Sequence, residues 1–346
     1  MNWLVRLSWH GGIWTGVLLL MVMLAASWGS ADITIPDVWR VIRAHIWPLA
    51  VDSGDPATHA IIWEIRMPRV VLAGLVGAAL AGAGVVFQGL LRNPLADPYV
   101  LGVSSGAALG AAVAILTGWG IAWFGVWNTS IWAFLAGLFA LLLVIWLSKA
   151  AAARSLSGSG ILILSGVVVQ ALFGAMLTYI LSISEEQLQR IQFWLMGSLS
   201  MREWSHSAVL FPFLITGLGV LWCLSPRLNL LTLGEREAYH LGVPVERTRT
   251  ILLLAATLMT GTAVAVSGII GFVGLVIPHI QRLLCGPDHR VLLPVSALSG
   301  AAFLIGADLL ARVAMEPREI PIGVVTAFIG APFFAWLLRS KSNQLS

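Results

Sequence analysis

Lysine is almost missing from this chain: there are two in 346 residues, Lys149 and Lys341. Each is preceded by serine rather than glycine, so neither can be the lysine of a Gly-Lys-Ser/Thr phosphate loop. The shortage also removes the basic patch that nucleic acid would require. Charge of either sign is scarce, with 20 Lys and Arg against 16 Asp and Glu. A soluble domain carries roughly a quarter charged residues, and this chain, at 10%, cannot cover a surface in water. The two cysteines, Cys223 and Cys285, lack CxxC spacing and read as unpaired membrane cysteines. No HExxH zinc motif occurs.

Apolar residues fill the space that charge leaves, at 58% of the chain with a mean hydropathy of +0.90. The apolar runs are continuous rather than alternating, which selects helices over a closed barrel. With about 20 residues needed per crossing, ten spans are expected: 12–29, 68–91, 103–124, 129–148, 160–182, 207–224, 250–268, 270–284, 291–313 and 321–339. The fold class is an all-α integral membrane protein, a single transmembrane domain over 1–346. Helices 1–6 fall within 12–224 and helices 7–10 within 250–339, separated by a polar segment at 225–249. Residues 1–31 contain Arg6, an apolar run and "SWGSA", a small-residue pattern like a signal cleavage site; they read as a retained first helix. Residues 190–203 read as a short helix on the membrane surface.

With the N-terminus inside, twelve Lys and Arg fall on the inner side and eight on the outer, the expected bias. Both termini are then cytoplasmic. Acidic residues divide five to eleven, leaving +7 inside and −3 outside. Six of the charged residues crowd into 232–249: Glu235, Arg236, Glu237, Glu246, Arg247 and Arg249.

Small residues recur at helical spacing in two stripes, Gly74/Ala78/Gly82 and Gly102/Gly106/Gly110. Such stripes let membrane helices approach closely. Segments 77–98 and 261–288 share a small-rich helix, an apolar run and a polar break, and they run in opposite directions, as in an inverted repeat. "GVSSG" at 102–106 fits a serine-nucleophile pattern, with no second half of an active site visible. "LRNPLADPYVLGVSSG" at 91–106 reads either as a cytoplasmic turn or as a gate element. His279, after Pro278, reads as a structural histidine. Asp308 and Arg312, spaced i,i+4, read as a local interface pair or a recognition element.

Four stretches together carry a resemblance: "RMPRVVLAGLVGAALAGAGVVFQGLLRNPLADPYVLGVSSGAALG" (66–110), "LGEREAYHLGV" (233–243), "GFVGLVIPHIQRLLCGPDHRVLLP" (271–294) and "REIPIGVVTAFIGAPFFAWLL" (318–338). The chain resembles the FecCD-type permeases, membrane subunits of ABC importers for ferric siderophores, haem and cobalamin, from about residue 60 to the end. The resemblance implies the type II ABC importer permease fold and a homodimer. It also implies a separate cytoplasmic ATPase dimer, which holds ATP and Mg, and an extracytoplasmic substrate-binding protein. This chain would hold no cofactor, no metal and no catalytic residue. The implied cargo is a metal chelate, with ferric siderophore ahead of haem and cobalamin; the implied place is the bacterial inner membrane.

Residue by residue, "GEREAYHLG" is similar to the family's coupling helix, with Glu237, Ala238, Leu241 and Gly242 as the ATPase contact. Arg66, Arg69 and Arg312 match arginines that meet the binding protein, and Asn93 and Leu95 match the cytoplasmic gate. Two other classes compete. A secondary transporter or channel would need paired ionisable groups at mid-membrane, and an intramembrane serine protease would need Ser104.

Overall fold

The computed structural model describes residues 2–29, 33–47, 55–152 and 159–342, and every regular element among them is helical. Ser30 and Ala31 of "SWGSA", and Arg154 from the inner-side count, lie outside the described residues. Among the described residues, seven helices are long and apolar enough to span a bilayer, and three shorter apolar helices fall at the remaining expected positions.

α1 (Trp3–Ser27) begins nine residues ahead of the expected span, because Trp3–Gly11 contains no proline to stop it. After the amphipathic α2 (Ile35–Ile46), Asp55 caps α3 (Pro56–Ala60) by accepting from the Thr58 N–H. α3 runs without interruption through a π-helical turn (Ile61–Arg66) into α4 (Met67–Leu90). α5 (Val103–Thr117) stops seven residues short of expectation, since Gly118 (φ 63) and Gly120 (φ 92) take left-handed conformations. The single turn α6 (Ile121–Phe124) then leads into α7 (Asn128–Ala152) and α8 (Ser159–Ile183).

The expected surface helix is α9 (Leu188–Leu195), half as long as the 190–203 reading; Gly197 (φ 72) bends the chain soon after it. α10 (Trp204–Cys223) is followed by three elements of the polar segment: α11 (Ser225–Leu231), α12 (Glu235–His240) and the start of α13 (Val245–Ser267). α14 (Val273–Cys285) starts three residues later than the expected 270–284 span. At 13 residues, about 20 Å, it is too short to cross alone. The apolar run is broken between Gly268 (φ 73) and Phe272 (φ 70). Irregular backbone inside a membrane bundle must find partners in the protein, and here the Ser198 N–H donates to Ser267 O and the Tyr99 hydroxyl to Ile270 O. α15 (His289–Val313) and α16 (Ile322–Ser342) complete the bundle.

The two halves named in the repeat reading show a similar order of elements. α4–α5–α7–α8 and α13–α14–α15–α16 each run as long helix, broken connection, short helix, then two further helices. α4 packs on α14 and α15 of the other repeat, and α13 packs reciprocally on α5 and α7. α4, α13 and α15 are the most enclosed spans, and α1, α7, α8 and α10 surround them.

Candidate functional site

The chemistry-bearing residues gather at the two ends of the bundle. At one end lies α12. Glu235 and Glu237 in its first turn suit the positive end of the helix dipole. Gly242 (φ 83) closes it: the Val243 N–H donates to Ala238 O at 3.0 Å and the Gly242 N–H to Tyr239 O at 2.9 Å. This is the paired C-terminal capping arrangement that favours glycine at the left-handed position. A six-residue helix does not persist alone. This one is held by the buried pair Ala238 and Val243, and by an ion pair from Arg249 to Glu235 at 3.4 Å.

The residues expected to form a contact therefore divide. Glu237, Leu241 (59% exposed) and Gly242 lie on the surface, whereas Ala238 (0% exposed) is turned into the protein by its role in the cap. Leu233 and Tyr239, which sequence reasoning passed over, are also exposed. Their signal was available: they are large apolar side chains in a charged segment.

α11, which packs on α12, also meets α4; just past the end of α4, Arg92 takes a left-handed conformation (φ 48), so that the Asn93 N–H reaches Gln88 O. Asn93 Oδ1 accepts from the Leu95 N–H at 2.9 Å, and Asn93 O accepts from the Ala96 N–H. The turn buries Ala96 and exposes Leu95, so the two expected gate residues form one unit. Gln88 donates to Leu275 O and accepts from Arg282, tying the "PHIQR" helix to the end of α4. His279 is buried, its ring 6.4 Å from Phe334. In "GVSSG", Gly102 (φ 78) and the Ser105 hydroxyl, which donates to Gly102 O, start α5.

Asp97 accepts from the Tyr99 N–H and starts the short helical turn Pro98–Leu101. Burial pushes its carboxyl up to about 6, against the opposing pull of that N–H. The native loop therefore favours the protonated acid, and it is expected to lose stability as pH rises from about 4 through 6. Asp97→Asn keeps an acceptor for Tyr99 and should flatten this part of the pH profile. Melting of the purified protein at pH 5 and pH 8 checks it; a variant with the wild-type difference overturns it.

At the opposite end, Arg66, Arg69 and Arg312 converge. Arg66 Nη1 donates to Ala26 O at 2.9 Å and Ser27 O at 2.7 Å, and Arg312 Nη2 donates to Ala25 O at 2.9 Å. These carbonyls end α1 and have no intrahelical partner, so two of the arginines cap that helix. The π turn before α4 carries Arg66 in its last position. Arg69 reaches Asp308 through Nε (3.0 Å) and Nη2 (2.9 Å), and Glu319 through Nη1 (2.8 Å). Asp308 also meets Arg312 Nε at 3.3 Å. The expected Asp308–Arg312 pair thus exists, but Asp308 is 1% exposed rather than interfacial, and Arg69 joins it. A cleft of about 460 Å³ is lined by the three arginines with Glu316 and Glu319. Its formal charges, Asp308 included, sum to zero. The structure thus brings the arginines together, with their hydrogen bonds directed largely inward.

An all-helical bundle with seven helices long and apolar enough to span a membrane among the described residues, and a capped polar helix at one end, fits a permease: a transport component of an ABC importer rather than an enzyme. The chain belongs to the FecCD transport family, which matches residues 17–340. It is 48% identical over 321 residues to the uncharacterized ABC transporter permease protein YvrB of Bacillus subtilis, covering 93% of this chain and 90% of that one. It is 39% identical over 342 residues to the hemin transport system permease protein HmuU of Yersinia pestis, covering 95% and 96%. Its fold is similar to a metal-chelate type ABC transporter solved in an inward-facing conformation, with a TM-score of 0.81 and 36% identity over 94% of this chain and 97% of that one. Proteins of this class sit in a membrane and work with an ATPase and a binding protein.

Proposed function

We propose that two copies of this chain form the pathway of an importer in the bacterial inner membrane, with both termini and α12 cytoplasmic. The ATPase dimer, carrying ATP and Mg, grips α12, and a substrate-binding protein docks at the arginine end. The observation that carries the reading is α12 itself: a short helix, rigidly capped, packed from within by Ala238 and offering Leu233, Glu237, Tyr239, Leu241 and Gly242 outward. A rigid exposed helix can pass on a push; a loose loop cannot. Leu241→Asp places a charge at the centre of that contact and is expected to reduce co-purification of the cognate ATPase at least about tenfold. Capture at the wild-type level would count against α12 as the contact.

The Asn93–Leu95 turns of two copies would close the inner end of the path, an apolar constriction that excludes water. At the outer end, Arg69 is the arginine through which a carboxylate of the binding protein could enter, by displacing the half-exposed Glu319. The cargo is a metal chelate, with ferric siderophore ahead of haem and cobalamin on the breadth of the family. The hemin permease and the metal-chelate transporter support the class. Mass spectrometry of the ligand on the cognate binding protein separates the three. The secondary-transporter reading gains nothing from Asp308, which is locked between two arginines.

A further inference from the structure

The polar segment has a second attachment, away from the surface it offers a partner. α11 lies against the last turn of α4 and the first turn of α15. In its middle, Asn229 uses both ends of its amide. Oδ1 accepts from the His289 backbone N–H at 2.9 Å and stands 2.6 Å from His289 Nδ1, while Nδ2 donates to Asp288 Oδ1 at 2.8 Å. Asp288 is fixed in turn by Arg290, through Nη2 at 2.7 Å and Nε at 3.0 Å. With Nδ1–H donating to Asn229, the His289 ring is set in one orientation, and its Nε2 faces Gly89 of α4. A Cβ at Gly89 would lie 2.8 Å from that nitrogen and 3.1 Å from Leu228 Cδ1 of α11. His289 is 3% exposed and Leu228 1%. Three elements therefore meet at Gly89 with no free space, four residues before Asn93. Gln88, next to Gly89, accepts the Asn93 N–H that starts the 93–96 turn.

We propose that Asn229 and His289 are positioning residues that lock α11, the start of α15 and the end of α4 into one body, so that displacement of α12 reaches the Asn93–Leu95 turn. The proposal rests on α12 being the ATPase contact. Without the lock, α11 could tilt about its junction with α10, at Leu224, and absorb the movement. A close-packed wedge transmits displacement because it has no room to absorb it.

The test uses the full transporter, permease with its cognate ATPase in liposomes, supplied with loaded binding protein. Asn229→Ala removes the amide. His289→Leu removes the ring donor, and His289→Asn restores a donor near the Nδ1 position. Asn229→Ala and His289→Leu are expected to capture the ATPase as the wild type does, while uptake per ATP hydrolysed falls about tenfold. His289→Asn should recover most of it. That ratio does not change if a variant merely yields less folded complex. An unchanged ratio in Asn229→Ala and His289→Leu overturns the proposal, as does an equal loss in His289→Asn. Should Asn229→Ala fail to assemble, the two His289 variants decide alone. Capture of the ATPase at the wild-type level by Leu241→Asp would instead overturn the underlying reading.

Discussion

Replacing Asp308 with alanine is expected to cost this protein much of its folded population. Asp308 is 1% exposed and lies between Arg69 and Arg312. Removing it leaves two largely buried guanidinium groups facing each other, with only Glu319 near Arg69 to compensate. Removing one partner of a buried charge network costs about 3–5 kcal/mol, against about 5–15 kcal/mol for a whole domain. The expected result is a several-fold drop in monodisperse protein and a clearly lower melting temperature. Asp308→Leu combined with Arg69→Met should recover part of the loss, because an apolar replacement leaves fewer charges unpaired. A stable Asp308→Ala variant with wild-type melting would show that the network contributes nothing. The same geometry changes how a docking test must be designed. Arg66→Glu would set a carboxylate against the Ala26 and Ser27 carbonyls, and Arg69→Glu would set one against Asp308. Loss of binding-protein capture in those variants would report damage to the fold as much as to docking.

What could be read from the sequence was local, and what could not was set by contacts between distant segments. The ten apolar runs are visible because burial in lipid is a property of each run alone. A span boundary at 268–270 was legible, but not the extent of the unwinding through Phe272, because "SGIIGFVG" differs little in hydropathy from the helices around it; bonds from Ser198, Tyr99 and the Ser267 hydroxyl help make the break tolerable. Arg69 and Asp308 are 239 positions apart, and no spacing rule joins them. The candidate contact at 232–249 was legible as charge in an apolar chain. The inward turn of Ala238 was not, since it depends on Val243 closing the cap from beyond the helix. The glycine stripes were half right. Gly106 and Gly110 do touch backbone of α7, but Gly102 is a left-handed turn. In α4, the atoms nearest Gly74 and Gly82 are side chains, and the close backbone approaches are at Gly77 and Gly84. So many small residues fall in 74–84 that several stripes look equally good on paper.

That contrast yields the second large effect. Gly84→Ala is expected to damage the protein severely, because a Cβ there would lie 1.9 Å from Gly274 O. The obstacle is backbone, so no rotamer change relieves it. Gly274, in the first turn of α14, is itself backed by Pro98, which would lie 2.8 Å from a Cβ at 274. α4, α14 and the Pro98 turn can therefore separate only by opening the joint beside the embedded break. Overpacking costs about 1–3 kcal/mol and occasionally more, and an approach this close to backbone falls at the upper end, read as a lower melting temperature and loss of ATPase-dependent uptake. Gly77→Ala, aimed at Gly300 O at 2.2 Å, should behave in the same way. Gly174→Ala and Gly219→Ala supply the control, since nothing lies within 4 Å of either position. Surface changes of that sort stay within about 0.5 kcal/mol. All four substitutions replace glycine with alanine inside a helix, so the gain in helix propensity is shared. The difference between the two pairs then isolates the close approach of backbones, and equal behaviour of the pairs would mean that α4 and α14 do not touch as described.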